Sequence, residues 1–337
     1  KEFINEAFKA SEENPILIDK FINNAMEVDV DAISDGKDVY VAGIMQHIEE
    51  AGIHSGDSAC CLPPISIKEN LLRELKIQTR KLALALKVKG FLNIQFAIKK
   101  DEIFVIEVNP RASRTVPFVS KANGVPLAKI ASRIMAGKKL SKYKLKYQTN
   151  KKFAVKEAVF PFNKFPDSDV LLGPEMKSTG EVMGFDDDFG MAYAKSQIAA
   201  SNSLPTKGLA FLSVKDSHKE EIVDVAKKLL KLNFNLCGTD GTASAIRNKG
   251  IKCKKINKVS GGTPHIVDVL NSKKIALVIN TGGGKRKHRL SDARALRRAT
   301  LINKVPYCTN MSTAYACLDA IQSLKNKKLK VKSLQEN

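Results

Sequence analysis

The sequence contains no tryptophan among its 337 residues, and aromatic residues make up only 6% of it. Proteins that hold single-stranded nucleic acids stack the bases on aromatic side chains, so this composition gives little material for such a surface. No apolar run approaches the roughly 20 residues that a helix needs to cross a bilayer. We therefore expect neither a nucleic acid nor a membrane as partner.

The sequence also lacks the cysteine spacing of a zinc site or of a redox motif. Its six cysteines form no C-x-x-C pair, and no histidine cluster lies near them. This spacing argues against structural disulfides and against bound zinc. It suits a reducing compartment, and we expect a cytoplasmic location.

Acidic residues are few relative to basic ones, which leaves a formal net charge of +21. One interpretation is a nucleic-acid-binding surface. The other is a lysine-rich solvated surface that also attracts anionic nucleotides. The hydrophobic fraction of 43% and the charged fraction of 27% are ordinary for globular proteins, and the length suggests about two domains.

The first six residues, Lys1-Glu2-Phe3-Ile4-Asn5-Glu6, have no initiator methionine and no signal-peptide core. They resemble the middle of an amphipathic helix. We therefore expect the chain to be a piece of a longer protein.

The first 200 residues alternate strand patterns with helical ones. Residues 26–33 alternate polar and apolar side chains, and residues 39–45 follow after a turn, which predicts a β-hairpin. A second hairpin is predicted over residues 90–108. Leucines at helical spacing predict an amphipathic helix over residues 67–88, and another helix is predicted over residues 117–136.

Residues 201–206, which include serine, asparagine and proline, indicate a domain boundary. Beyond them, strands and helices alternate, which predicts a parallel sheet covered by helices. The predicted fold class is therefore α/β. Its predicted parts are residues 1–140, a connector at 141–205 that completes the first unit, and a second domain at 206–337.

The end of the second hairpin carries a candidate metal site. Glu107 and Asn109 are two residues apart on a strand, so they project to the same side, and Gln95 on the partner strand can face them. One carboxylate and two amide oxygens suit Mg²⁺ or Mn²⁺. Arg111 and Arg114 follow as donors for phosphate or carboxylate.

The alternative interpretation of this segment is an edge hairpin with ordinary surface charges. The apolar neighbours of Glu107, at positions 105, 106 and 108, favour the metal site. They predict that Glu107 interrupts a buried strand, and a buried carboxylate needs a partner.

A second candidate is the glycine- and serine-rich loop at residues 52–58. Small residues let backbone N–H groups approach a nucleotide. His54 within this loop is either a base or a side chain that bonds to its own neighbours.

Two glycine-containing loops follow strands in the second domain, at residues 238–242 and 280–285. Each opens a predicted helix, and helix N-termini attract phosphate. Lys219 and Lys258 add positive charge. The second loop is not a Walker A motif, because its glycine spacing is wrong. The alternative is that both loops are simple connecting turns.

Several of these segments resemble one known family. The likeness is carried by Glu27-Val28-Asp29-Val30-Asp31, the 52–58 loop, Asn93-Ile94-Gln95-Phe96-Ala97, Ile106-Glu107-Val108-Asn109-Pro110-Arg111, Arg114-Thr115-Val116-Pro117-Phe118-Val119-Ser120-Lys121 and Leu172-Gly173-Pro174-Glu175-Met176. Together they resemble the large subunit of carbamoyl phosphate synthetases, over essentially the whole chain. The attached C-terminal domain indicates the second of that subunit's two synthetase halves.

The resemblance implies an ATP-grasp unit that uses ATP to phosphorylate carbamate, giving carbamoyl phosphate and ADP. It implies that Gln95, Glu107 and Asn109 hold Mg²⁺ or Mn²⁺, and that Arg111 and Arg114 hold the transferring phosphoryl group or carbamate. The residues implied to contact the nucleotide are Glu27, Gly52, Ile53, His54, Ser55, Gln95 and Glu107. We expect this chain alone to have no turnover, because it lacks the preceding nucleotide-clamping segment.

Residues 206–337 resemble a methylglyoxal-synthase-like domain, a three-layer α/β/α fold that binds regulatory nucleotides in the synthetases. The residues implied to hold UMP or IMP are Lys219, Thr239, Thr242, Lys258, Asn280 and Thr281. Gly282 stands where bacterial relatives often carry a second threonine. Residues 283–285 replace the Asp-Pro of true methylglyoxal synthases, which argues against that activity.

The family also binds ornithine where its two domains meet, at positions that match Glu49, Asp57, Glu157 and Thr309. The resemblance further implies a glutaminase small subunit as partner, a higher oligomer of that heterodimer, and a role in pyrimidine and arginine biosynthesis.

Three alternatives remain: another ATP-grasp ligase of the biotin carboxylase or purine type, a basic nucleic-acid-binding module, and a regulatory nucleotide-binding protein without activity. The C-terminal domain argues against the first, because those enzymes carry different appendages. The second would require a salt-dependent affinity for DNA or RNA that survives loss of Glu107.

Overall fold

The computed structural model describes residues 2–11, 14–16, 18, 21–146, 152–162, 170–281 and 287–336. Within these residues the chain forms two β-sheets, one antiparallel and one parallel, each covered by helices. No helix in these ranges is long and apolar enough to cross a membrane.

The first sheet has seven strands: β1 (Met26–Asp35), β2 (Val39–Glu50), β3 (Cys60–Leu62), β4 (Lys89–Lys99), β5 (Glu102–Asn109), β6 (Phe153–Val159) and β7 (Gly180–Asp186). All of its strand pairs are antiparallel, and the spatial order is β5-β4-β1-β2-β3-β6-β7. The turn between β1 and β2 forms because Asp35 Oδ1 accepts the N–H groups of Lys37 and Asp38, while Gly36 adopts a φ of +87°. Both predicted hairpins are therefore present.

Five helices accompany this sheet: α1 (Glu2–Ser11), α2 (Glu69–Ala85), α3 (Val116–Asn123), α4 (Leu127–Met135) and α5 (Phe189–Ala199). The predicted amphipathic helix corresponds to α2, whose Leu71 and Leu75 pack against Val30 and Ile94 of the sheet. The single helix predicted over residues 117–136 is wrong. Gly124 ends α3 with a left-handed φ of +66°, and Pro126 lies immediately before α4.

The second sheet has five strands: β8 (Gly208–Ser213), β9 (Phe234–Gly238), β10 (Lys254–Lys255), β11 (Ile275–Asn280) and β12 (Tyr307–Cys308). All of its pairs are parallel, and the order is β10-β9-β8-β11-β12. The surrounding helices are α6 (Lys219–Lys231), α7 (Asp240–Arg247), α8 (Ile266–Asn271), α9 (Lys287–Ile302) and α10 (Met311–Asn326). The predicted parallel sheet with helices is confirmed.

The helices of this second part lie on both sides of the sheet. Apolar side chains of α6, α7 and α10, such as Ile222 and Leu318, belong to one buried cluster. Side chains of α8 and α9, such as Leu270 and Leu296, belong to another. The sheet lies between the two clusters, which gives three layers.

The two sheets share a continuous core through α5 and α10. Met191 on α5 and Ile321 on α10 belong to the same buried cluster. A Cβ added to Gly190 would lie 2.4 Å from the carbonyl oxygen of Asp319, so the two backbones touch at this glycine. The helices α5 and α10 can approach this closely only because residue 190 has no side chain. Their contact tightly constrains the relative position of the two sheets.

The prediction that Glu107 interrupts a buried strand is wrong. The strand β5 lies at the edge of the first sheet, and Glu107 is exposed together with Val105 and Ile106. An apolar run shows that a strand is formed, but it does not distinguish an edge strand from a central one.

Glycine 184 on β7 provides a test of how α5 packs on the first sheet. A Cβ at this position would lie 1.9 Å from the carbonyl oxygen of Ala192 on α5, which is backbone and cannot rotate away. We expect Gly184→Ala to lower the free energy of unfolding by about 2 kcal/mol or more, measured by urea denaturation.

The matched control is Gly180→Ala on the same strand. No atom lies within 4 Å of the Cβ that would be added there. Equal destabilisation by the two substitutions would contradict the close contact between β7 and α5.

Candidate functional site

Two rows of polar side chains cross three neighbouring strands of the first sheet: Asp29–Gln95–Glu107 and Asp31–Asn93–Asn109. Residues directly opposite each other on antiparallel strands point to the same face. The register therefore brings all six side chains to one face, at the edge formed by β4 and β5.

The predicted metal-binding residues lie together in these rows. Gln95 on β4 is directly opposite Glu107 on β5, and the Asn109 amide donates to Glu107 Oε1 at 2.8 Å. The Gln95 amide nitrogen donates to Ser55 Oγ at 3.2 Å, so its carbonyl oxygen is the atom left for a ligand. One carboxylate and two amide oxygens fit a small divalent cation that also binds phosphate.

The loop at residues 52–58 lies over this edge and is held by backbone bonds. The Gly52 N–H donates to the carboxylate of Glu27, and the N–H of His54 donates to the carbonyl of Gly173 at 2.8 Å. His54 Nδ1 accepts from the N–H of Gly56 at 3.0 Å. His54 is thus a loop-stabilising side chain, the second of its two predicted roles, and the half-buried Ile53 lies between these anchors.

The two predicted arginines occupy different positions. The Arg114 guanidinium contacts Met176 Sδ, and its Nη1 lies 3.0 Å from where a Cβ of Gly56 would be. It therefore lies directly beside the loop. Arg111 is exposed at the end of β5, where its Nη1 donates to the carbonyl of Ala112 at 3.1 Å.

Asp31 anchors the segment that carries Arg114. This carboxylate is 1% exposed and accepts from Thr115 Oγ1 at 2.6 Å, Ser113 Oγ at 2.7 Å and Asn93 Nδ2 at 2.9 Å. Burial raises the pKa of Asp31 to about 6, although the three hydrogen bonds favour the ionised form. Asp31 was not singled out from the sequence, where it looked like one polar residue in an alternating strand.

A buried group of three titratable side chains lies next to Glu27. His47 Nε2 is 3.3 Å from Asp29 Oδ2, and His47 Nδ1 is 3.8 Å from Glu27 Oε1. Their ligand atoms lie within 4.8 Å of one another. Burial opposes the charged imidazole, but the two carboxylates outweigh it and raise the pKa of His47. The two carboxylates therefore stabilise the protonated form of the imidazole.

Two of the predicted ornithine residues form a buried carboxylate pair. Glu49 accepts from the N–H of Ala59 at 2.8 Å and from Thr313 Oγ1 on α10 at 3.3 Å. Glu157 accepts from Gln197 Nε2 at 2.6 Å. Burial and the neighbouring charge of Glu49 raise the pKa of Glu157 well above its ordinary value, and burial also raises that of Glu49.

The other two predicted ornithine residues are Asp57 and Thr309. Both oxygens of Asp57 accept backbone N–H groups, from Lys177 at 2.8 Å and Ser178 at 2.9 Å. Thr309 directly follows β12 and is half-buried. Asp57 therefore holds the 52–58 loop against the segment that leads into β7.

Five of the six residues predicted to hold a nucleotide line one cavity of about 250 Å³: Lys219, Thr239, Thr242, Lys258 and Asn280. The cavity opens at the C-terminal ends of β8, β9 and β11, which is where parallel sheets bind ligands. The sixth, Thr281, accepts from the N–H of Lys215 at 3.4 Å and lies 3.0 Å from His218 Nδ1. The predicted features at residues 282–285 lie outside the described residues.

Sequence reasoning missed Ser213 and Lys215, which also line this cavity. Ser213 Oγ lies 3.1 Å from Thr239 Oγ1, and Lys215 follows directly after the end of β8. Position alone could have indicated both, because each lies at the C-terminal end of a parallel strand.

Two family models match the chain. Residues 1–143 match the carbamoyl-phosphate synthase L chain, ATP binding domain, and residues 221–309 match the MGS-like domain. The carbamoyl phosphate synthase large chain, C-terminal section, of Aquifex aeolicus is 49% identical over 100% of this chain. The chain belongs to the carbamoyl phosphate synthase large-chain family.

Relatives from other organisms have a similar identity to this chain and are longer proteins. The carbamoyl phosphate synthase large chain of Methanobrevibacter smithii is 51% identical over 100% of this chain, and that of Rhizobium meliloti is 52% identical over 96%. This family member spans 66% of the Aquifex protein, 32% of the Methanobrevibacter protein and 28% of the Rhizobium protein.

Solved structures give a weaker likeness. The biotin carboxylase domain of a single-chain bacterial carboxylase is 16% identical, with a TM-score of 0.46, over 59% of this chain and 51% of that one.

The raised pKa of Asp31 makes the stability of this family member depend on pH. A carboxyl whose folded-state pKa of about 6 exceeds its ordinary 3.8 stabilises the fold below 3.8 and loses that effect as pH rises through 6. Relative to Asp31→Asn, the wild-type free energy of unfolding should fall by about 2 kcal/mol between pH 4.5 and pH 7.5.

The measurement is urea denaturation of both proteins at the two pH values. Subtracting the free energy of unfolding of Asp31→Asn from that of wild type at each pH removes the contribution of the other titrating groups. A difference that is the same at pH 4.5 and pH 7.5 would contradict the raised pKa of Asp31.

Proposed function

We propose that this chain supplies the half-site of a carbamoyl phosphate synthase in which ATP phosphorylates carbamate. The observation that carries the proposal is the alignment of Gln95, Glu107 and Asn109 beneath the 52–58 loop, in a chain of this family. The carbamate oxygen attacks the γ-phosphorus, the bond from that phosphorus to the β-phosphate oxygen breaks, and ADP leaves.

The residues of this chain provide positions and charges for that transfer. The 52–58 loop and Glu27 hold the nucleotide, since the loop offers backbone N–H groups at one edge of the oxygen-ligand rows. Arg114, beside the loop, and Arg111 balance the charge of the phosphoryl group or the carbamate. When bound by Gln95, Glu107 and Asn109, Mg²⁺ or Mn²⁺ supplies further positive charge next to the phosphate oxygens.

The parts of the enzyme beyond this chain belong to the same proposal. We infer that the ammonia for carbamate comes from glutamine through a glutaminase small subunit, and that the heterodimer forms a higher oligomer. The product feeds pyrimidine and arginine biosynthesis in the cytoplasm. The relatives in Methanobrevibacter and Rhizobium are large chains, which supports a small-chain partner.

The second domain is proposed to bind a regulatory nucleotide monophosphate, UMP or IMP. Three lysines and four neutral polar side chains line its 250 Å³ cavity, together with two aspartates, and the lysines suit a phosphate with an attached nucleoside. The Glu49–Glu157 pair is proposed to bind ornithine, because two buried carboxylates attract a ligand with two ammonium groups.

Glu107→Gln tests the proposed transfer. The substitution keeps the shape of the side chain and removes the only carboxylate among the three proposed metal ligands. We expect ATP formation from ADP and carbamoyl phosphate to fall by more than about 100-fold in the full-length protein with its small subunit, as for loss of a metal ligand.

The matched control is Glu102→Gln, an exposed glutamate at the other end of β5. Its activity should stay near that of wild type. An active Glu107→Gln protein would remove Glu107 from the proposed metal site, and inactivity of the wild-type protein would remove the proposed function.

Ornithine binding should strengthen as pH rises. The raised pKa values mean that the Glu49–Glu157 pair retains a proton that a diamino acid must displace. Affinity should therefore rise by up to about tenfold per pH unit over the range in which this proton is held.

Calorimetry in buffers of different ionisation enthalpy should detect proton release on ornithine binding. In Glu157→Gln the release should shrink, because one of the two coupled carboxyls is gone. Proton uptake, or an affinity that falls with pH, would exclude the pair as the ornithine site.

A further inference from the structure

His218 is a buried histidine of the second domain that was not singled out from the sequence. It is 7% exposed and lies directly before α6, where it is followed by the cavity-lining Lys219. Its Nδ1 lies 3.0 Å from Oγ1 of Thr281, the predicted nucleotide residue that does not line the cavity. The same hydroxyl oxygen accepts from the backbone N–H of Lys215 at 3.4 Å. The imidazole therefore joins the start of α6 to the residue that follows β11.

The proton in the contact between Thr281 and His218 decides what the threonine can offer a ligand. A hydroxyl group has one hydrogen to donate and two lone pairs that accept, and one lone pair of Thr281 Oγ1 accepts from Lys215. When His218 Nδ1 carries no proton, the hydroxyl hydrogen is donated to the imidazole. When Nδ1 carries a proton, the imidazole donates to the second lone pair, and the hydroxyl hydrogen is left for a phosphate oxygen. A neutral imidazole has its one proton on either nitrogen, whereas the charged form always has one on Nδ1.

Charged groups from the segment after β8, from α6 and from β2 face His218. Burial and the ammonium group of Lys215 lower the pKa of His218, while the carboxylates of Glu221 on α6 and Glu50 on β2 oppose them. The unliganded imidazole is therefore mainly neutral at pH 7. A proton added to it joins the charges of Lys215 and Lys219, which line the cavity. A phosphate dianion in the cavity offsets these charges and so favours the protonated imidazole.

We propose that His218 is a positioning residue for the nucleotide monophosphate of the second domain, and that a proton on its Nδ1 releases the Thr281 hydroxyl group for a phosphate oxygen. The phosphate group and the proton on His218 then strengthen each other's binding. With Nδ1 unprotonated, the residues that line the cavity bind the nucleotide without Thr281, and more weakly. This inference rests on the proposed nucleotide site and adds one residue and one proton to it.

The test measures the affinity for UMP at several pH values in the full-length protein with its small subunit. A phosphate monoester itself becomes a dianion near about pH 6, so the affinity of wild type is divided by that of His218→Asn at the same pH. This ratio should rise about fivefold or more as the pH falls from about 7.5 to about 5.5, because only wild type takes up the proton. His218→Leu, which has no polar side-chain atom, should give the same pH profile as His218→Asn, and either variant suffices if the other does not fold.

Thr281→Val separates an action through the hydroxyl group from a simple effect of the imidazole charge. Valine keeps the branched shape of threonine and has no hydroxyl group. At about pH 5.5 this variant should bind UMP more weakly than wild type, and its rise in affinity on acidification, relative to His218→Asn, should fall to about twofold or less. The remaining rise is the part that the charge of His218 contributes without the hydroxyl group.

The matched control is His265→Asn. His265 also precedes a helix of the second domain, and its Nδ1 accepts from the N–H of Asp268 at 3.4 Å, a bond that asparagine can replace. UMP binding by this variant should keep the full dependence on pH. A loss of the dependence in His265→Asn as well as in His218→Asn would assign it to the stability of the domain and overturn the proposal.

Two further results would overturn the proposal: a ratio of wild type to His218→Asn that does not change with pH, or an undiminished rise in Thr281→Val. A failure of the proposed nucleotide site is distinguishable from both. Wild type would then bind neither UMP nor IMP at any of these pH values, which would remove the site itself and the role of His218 with it.

Discussion

The buried carboxylate of Asp31 is the constraint on which the arrangement of the candidate site depends. It accepts hydrogen bonds from Asn93 on β4 and from Ser113 and Thr115, which flank Arg114 in the segment after β5. Without this acceptor, the buried side chains of Asn93 and Thr115 would lose a partner, at a cost of about 1–3 kcal/mol for each unsatisfied group, and the half-buried Ser113 would lose one of its two. The position of Arg114 beside the 52–58 loop thus follows from a residue that contacts neither the loop nor the predicted metal ligands.

The interface between the two sheets also depends on a few specific contacts. Backbone contact at Gly190 brings α10 against α5, and this crossing also brings Thr313 on α10 to Glu49 on β2. Ser323 on α10 donates to Asp188 at the start of α5, which also caps that helix by accepting from the N–H of Met191. The carboxylate pair is therefore built from the first sheet but completed by the second domain, so its environment changes with any ligand that moves α10.

The sequence allowed prediction of those features that rest on periodicity and on register. Leucine spacing predicted α2, alternation predicted the first hairpin, and strand pairing explains why Gln95 and Glu107 face each other. It did not predict that Glu107 is exposed, because an apolar run has the same appearance on an edge strand and on a central one.

The buried polar residues were the least predictable from sequence. His47 and Lys156 both lie in strands at positions where a charged residue is usually assigned to the solvent face. Their burial depends on partners distant in the chain: Glu27 and Asp29 for His47, and the Ser55 and Gly56 carbonyls for Lys156. Local patterns contain no information on such partners, which is why these buried charges were not predicted.

The strand β2 holds two buried titratable side chains of the first sheet in fixed positions. His47, beside Glu27 and Asp29, and Glu49, at the interface with α10, are two residues apart on one strand, and both are nearly completely buried. That strand pairs with β1 along most of its length and with β3, so it cannot shift without breaking many hydrogen bonds. In a low-dielectric interior, however, a charge placed on Glu49 is felt by His47 and Lys156 without movement of the strand. A rigid strand of this kind couples buried groups by charge rather than by displacement.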